Sequence, residues 1–155
     1  MRIQRLDVRA VDVPLKRPYA IAGERTEAVR MLRVELVAEN GASGLGSATP
    51  EVSITGESFD ACRAALEGAR WLAGCDALDV HVLVRRIDDA FPAAPGARAA
   101  LDMALHDLWA KLMEAPLVDL LGRAHTELET SVTIGIADVA ETLAQGREHL
   151  GNGFR

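Results

Sequence analysis

Three groupings in this sequence carry side chains able to do chemistry. His106 stands four residues after Asp102 and beside Asp107. That spacing stacks side chains on one helical face and could hold a metal or move a proton. Two carboxylates and one imidazole on a single helix are too few for a closed metal site, so the expectation is a solvated or interface face. Cys62 and Cys75 are the two cysteines. Neither has a nearby His or basic cluster to mark a reactive thiolate. Gly44 and Gly46 flank Leu45, but no G-x-G-x-x-G follows, so no phosphate cradle is expected. His81, His125 and His149 are isolated and uninformative.

The elements that must position these groups belong to a chain of 155 residues, 49% hydrophobic and 26% charged. That is a globular composition, sufficient for one core or one domain plus a fragment of another. The formal charge of −6 and the scattered basic residues argue against nucleic acid. No apolar run reaches the roughly 18 residues needed to span a membrane. The first residues lack the apolar stretch of a signal peptide. Two sparse cysteines suit a reducing cytoplasm.

Strands come first. Residues 3–13 alternate loosely through Ile3, Leu6, Val8, Val11 and Val13 and should stop at Pro14. A polar loop is expected over 16–28. Residues 29–38 form the second strand. Asn40-Gly41 reads as a two-residue hairpin, because both positions tolerate positive φ. The return strand covers 42–48, and a second loop covers 49–56.

Helices follow. Ser58 should cap a helix reaching about Ala73. Asp79 should start another, with Val82, Leu83, Ile87 and Phe91 on one face. Residues 97–113 carry the clearest stripe: Leu101, Ala104, Leu105, Leu108 and Leu112. Trp71 and Trp109 should pack the helical bundle. Residues 130–136 read as a strand, with Ser131, Thr133 and Gly135 on one side. Asp138 should cap a helix reaching Leu150, and Phe154 should begin a further strand, the opening of a βαβ unit. The expected class is α+β.

These pieces resemble a family. They are Val13-Pro14-Leu15 with Pro18-Tyr19, Gly44-Leu45-Gly46 leading to Thr49-Pro50, and Ile54-Thr55-Gly56-Glu57-Ser58. The helix from Ala99 to Lys111, continuing into Ala115-Pro116-Leu117 and Leu120-Leu121-Gly122, is the most specific of them. Glu129 to Ile134 completes the set. The chain resembles the N-terminal portion of the enolase superfamily, in its muconate-lactonizing and mandelate-racemase branch. Its local motifs look closest to the dipeptide epimerases of L-Ala-D/L-Glu type.

The resemblance implies an N-terminal capping domain over 1–125, a three-stranded antiparallel sheet plus a helical bundle. The first βα unit of an incomplete (β/α)-barrel would follow over 126–155. It implies an isomerase that removes the proton α to a carboxylate and holds the enediolate on Mg²⁺. Such a dianion needs electrostatic stabilisation as it forms. The base and the metal ligands would lie beyond Arg155, so this chain alone should be inactive. Its part would be substrate selection. Arg25, flanked by Glu24 and Thr26 in the first loop, would grip a carboxylate with its planar fork. Ile54 and Thr55 in the second loop would line the specificity pocket. Thr133 would face the site from the first barrel strand. The partner would be a small dipeptide, and the intact protein a homo-oligomer. Muconate cycloisomerase, o-succinylbenzoate synthase and N-acylamino acid racemase share the same proton step and stay open. So does a non-catalytic remnant acting as an interaction module.

Overall fold

In the computed structural model, residues 1–21 and 24–155 are described, with side chains described outside 19–25. The order is β1 (Ile3–Ile21), β2 (Glu24–Ala38), β3 (Ser43–Ala48), α1 (Val52–Thr55), α2 (Phe59–Gly68), a 3₁₀ turn (Ala69–Leu72), α3 (Val80–Ala90), α4 (Pro95–Leu112), α5 (Leu117–Leu121) and α6 (Val139–Gly151). The chain divides into two compact units. One holds Met1–Asp12 and Arg30–Arg123, the other Val13–Val29 and Ala124–Arg155.

The sheet has the order β1-β2-β3, with β2 antiparallel to β3 in the register Leu36↔Gly44 and Val34↔Gly46. β1 does not stop at Pro14; it runs on through Pro18. An edge strand tolerates proline because its missing N–H can fall on the unpaired side. Of the expected polar loop over 16–28, residues 16–21 and 24–28 are therefore strand.

The β2–β3 connection also differs in detail from the two-residue turn. Gly41 alone takes positive φ (+85°), and its N–H donates to Ala38 O at 2.9 Å. Asn40 Oδ1 accepts from Ala42 N–H, and Ala38 N–H donates to Ala42 O. This is the three-residue hairpin in which a turn is followed by one left-handed residue.

Alternation on β2 sends Leu32, Val34 and Leu36 into the core, while Arg33 and Glu35 pair on the other face at 3.1 Å. Ile3 and Leu6 join from β1. The helices close over that face with Cys62 and Leu66 of α2, Leu72 of the 3₁₀ turn, Val80, Leu83 and Ile87 of α3, and Leu101, Leu105 and Leu108 of α4. Each such leucine contributes roughly 1.5–3 kcal/mol by burial, so packing rather than helix propensity holds α4 in place. Val82 departs from the expected face and is exposed, whereas Val80 takes the buried position. Leu112 packs only partly against the core. Trp71 and Trp109 pack the bundle as expected.

β3 and α4 meet at unusually short range. A Cβ at Gly44 would overlap Ala104 O and Leu108, and a Cβ at Gly46 would overlap Ala100 O. The two glycines therefore serve close helix–sheet approach, not phosphate binding. Ala100 and Ala104, four apart, supply the matching small surface of α4. The Ala38–Ala42 bond means that even-numbered residues of β3 exchange with β2. The odd ones turn their backbone groups to the free edge. There Leu45 N–H donates to Asp107 Oδ2 at 2.8 Å, and Lys111 Nζ donates to Ser43 O at 2.8 Å and to Asp107 at 2.7 Å. Side chains of α4 thus cover an edge that would otherwise recruit another strand.

In the second unit, α6 starts at Asp138, whose side chain accepts from Glu141 N–H. Residues 130–136 are in no β ladder, and neither is Phe154. The expected strands are thus absent among the described residues, since a parallel strand exists only through bonds to neighbouring strands. Arg17 reaches Glu148 on α6 in a two-point ion pair, 2.7 and 3.0 Å. That contact raises the Arg17 pKa and holds the Glu148 carboxyl below its ordinary value.

Candidate functional site

The stretch expected as loop over 49–56 contains α1, a single turn. Glu51 caps it, with Oε1 accepting from Ser53 N–H at 3.1 Å and from Ser53 Oγ at 2.9 Å. These bonds, the backbone one first, hold the Glu51 carboxyl below its ordinary pKa, so it is ionised at neutral pH. Gly56 ends the turn at φ +73°, a conformation a Cβ would strain, and its N–H donates to Val52 O. Thr55 Oγ1 donates to Glu51 O at 3.1 Å and accepts from Glu57 N–H at 3.3 Å. The Thr55 hydroxyl therefore already has two partners inside the turn. Ile54 is 82% exposed, an extreme value for an isoleucine.

Beneath this turn lies Glu57, the one buried charged residue among those described, 3% exposed. Its Oε2 accepts from Gly96 N–H at 2.6 Å and its Oε1 from Ala97 N–H at 3.3 Å. Those amides open α4, whose own cap residue, Ala94, supplies no side-chain bond. A distant carboxylate thus satisfies two donors at a helix start, where negative charge is favoured.

The structure brings Ile54 and Thr55 together on α1. Thr133 is exposed and belongs to the second unit, in the run that forms no ladder. The Arg25 side chain lies outside the described residues. Glu51 was missed by sequence reasoning; the Glu-x-Ser spelling before an apolar residue was the available signal for a cap.

The other groupings resolve as packing. His106 Nδ1 lies 3.0 Å from Asp102 O and 3.1 Å from Asp102 Oδ1. Its ring meets those of His81 and Trp109 edge-on. Cys62 is fully buried, and burial, aided by the charge of Glu57, pushes its thiol up to about 12. Among the described residues no three His, Cys, Asp or Glu side chains form a group able to hold a metal. The residues present do not fit a Mg²⁺ site, and no step through the ion follows from them. No described helix is long and apolar enough to cross a membrane. The α1 turn exposes one ionised carboxylate, Glu51, and two branched apolar side chains, Val52 and Ile54.

Known proteins resemble this chain along its whole length. The L-Lys-D/L-Arg epimerase of Methylococcus capsulatus is 52% identical over 157 residues, covering 100% of this chain and 44% of that protein. The L-Ala-D/L-Glu epimerase of Bacillus subtilis is 29% identical, covering 100% of this chain and 43% of that protein. A crystal structure of the Methylococcus capsulatus dipeptide epimerase, complexed with Mg and the dipeptide L-Arg-D-Lys, superposes with a TM-score of 0.92. The match covers 100% of this chain and 44% of that one. The chain thus spans less than half the length of the relatives it matches. The family described as mandelate racemase / muconate lactonizing enzyme, N-terminal domain, matches residues 4–122. With its three-stranded sheet and packed helices, this chain belongs to that family, the capping domain of enolase-superfamily enzymes.

Proposed function

We propose that this chain is the substrate-selecting portion of a Mg²⁺-dependent dipeptide epimerase, and that the dipeptide is cationic. The observation that carries the reading is the 52% identity, over all of this chain and 44% of the relative, to a protein named L-Lys-D/L-Arg epimerase, against 29% to the L-Ala-D/L-Glu enzyme. This shifts the substrate from the acidic dipeptide that the motifs alone suggested. The local chemistry supports it, because the α1 turn carries an ionised Glu51 and no described basic residue. An exposed carboxylate attracts Lys or Arg and repels Glu.

In this reading residues 1–125 form the cap and 126–155 begin the barrel domain. Ile54 packs against the aliphatic stem of a substrate side chain, with Thr55 beside it. Arg25 holds the substrate carboxylate and Thr133 offers its hydroxyl to the substrate. The bound ion would supply charge neutralisation for the enediolate; this chain supplies recognition.

The test is a comparison of kcat/KM over a dipeptide panel, using the complete gene product that contains this chain. The expected result is a preference for Lys- and Arg-containing dipeptides over L-Ala-L-Glu. Glu51→Gln should narrow that gap by about ten-fold, the scale of one partly exposed charge-assisted contact. A preference for L-Ala-L-Glu would overturn the cationic assignment.

A further inference from the structure

We propose that Glu57 is a positioning residue that fixes the selecting turn in its substrate-ready shape, an inference that rests on the reading of α1 given above. Three links make the argument. The turn is tied to Glu57 on one side, since Glu57 N–H donates to Thr55 Oγ1, which in turn donates to Glu51 O. Glu57 is tied to α4 on the other side, through Gly96 N–H at 2.6 Å and Ala97 N–H at 3.3 Å. α4 is itself packed directly on the sheet, because Gly44 and Gly46 leave no gap between its backbone and β3. The turn is thus fastened to the closely packed start of α4 through one residue, by its backbone N–H on one side and its carboxylate on the other.

Among the described residues, no other side-chain hydrogen bond ties the turn to the rest of the first unit. None of its residues is buried, and Val52 and Ile54 are 59% and 82% exposed. Four residues of helix do not hold themselves together in water. Gly96 belongs to the same device. A Cβ there would stand 2.6 Å from Glu57 Oε2, so the carboxylate reaches the helix start only because position 96 is glycine.

The experiment uses the complete gene product and two variants that disturb the link differently. Glu57→Gln keeps one acceptor and removes the charge. Gly96→Ala keeps the charge and displaces it. Asp107→Ala serves as the comparison, since it weakens α4 against β3 without touching the turn. Hydrogen exchange is followed at the Ile54, Thr55 and Gly56 amides, which are bonded within the turn. KM and kcat are measured on the preferred dipeptide.

Both link variants should speed exchange at these amides about ten-fold or more, as loss of a charge-assisted bond implies. They should raise KM more than they lower kcat. Asp107→Ala should lower the melting temperature with neither effect. Wild-type exchange in both link variants would reduce Glu57 to a helix cap and overturn the proposal. Faster exchange with an unchanged KM would overturn it too. If no dipeptide is turned over by the wild type, the functional reading fails, while the exchange data still decide whether Glu57 fastens the turn.

Discussion

Gly46 of β3 lies so close to Ala100 of α4 that a Cβ on residue 46 would overlap the Ala100 carbonyl oxygen. The obstructing atom is helix backbone, which cannot swing aside as a side chain can. Gly46→Ala should therefore destabilise the fold by about 1–3 kcal/mol, the usual cost of overpacking, and push α4 off the sheet. Urea unfolding followed by circular dichroism measures the loss. Gly41→Ala is the useful contrast: nothing surrounds that position, and its cost comes only from the φ of +85°.

Asp107 and Lys111 together cover the free edge of β3. Replacing Asp107 by Ala leaves the Leu45 N–H without its acceptor and frees Lys111 from its i, i+4 partner. The stability loss should be small, about 0.5–1.5 kcal/mol for one hydrogen bond to an exposed edge. The larger effect should be association, since an uncovered edge recruits strands. Sedimentation velocity across a concentration series should show self-association in Asp107→Ala that exceeds that of the wild type.

Cys62 and Cys75 should separate cleanly on alkylation. The buried Cys62 keeps its proton to about pH 12 in the native state, whereas an unfolded cysteine releases it near 9.0. Only Cys75, half-buried, should be labelled by iodoacetamide in native protein, and Cys62 should follow only in denaturant. The same difference has a stability consequence. Above pH 9 the unfolded state has lost a proton that the folded state retains, so stability falls as pH rises between 9 and 12. Cys62→Ala should show a weaker decline over that window in melting experiments.

Glu114, just past α4, is the one non-glycine residue among those described with positive φ, 51°. It lets Ala115 N–H donate to Ala110 O at 3.1 Å and so closes the helix end. A side chain in that conformation costs on the order of 1 kcal/mol. Glu114→Gly should therefore raise the unfolding free energy by about 0.5–1 kcal/mol despite the added chain entropy of glycine.

Elements whose signals are local were legible in the sequence. The α4 stripe through Leu101, Leu105 and Leu108 is buried, and Ser58 and Asp138 accept the capping bonds expected of them. Features that depend on a distant partner were not. Gly44-x-Gly46 looks like any small-residue pair until α4 arrives more than fifty residues later. Glu57 resembles an exposed turn residue, because the amides it caps are 39 and 40 residues away. Pro14 reads as a stop unless β1 is known to be an edge. Residues 130–136 have strand composition without the neighbours that make a strand. Ile54 and Thr55 were singled out by resemblance as loop residues, and the single helical turn they form was not foreseen. Glu51 escaped notice because its role as a cap shows only in the bonds to Ser53.

Under the proposed function, the enzyme that carries this cap moves the α-proton of a cationic dipeptide. Incubation of the complete gene product with L-Lys-L-Arg and Mg²⁺ in deuterated water, followed by NMR of the Cα protons, tests this most directly. Metal-dependent loss of a Cα proton signal, with the D-epimer accumulating, is the predicted result. A signal that stays intact for cationic and neutral dipeptides alike would contradict the account.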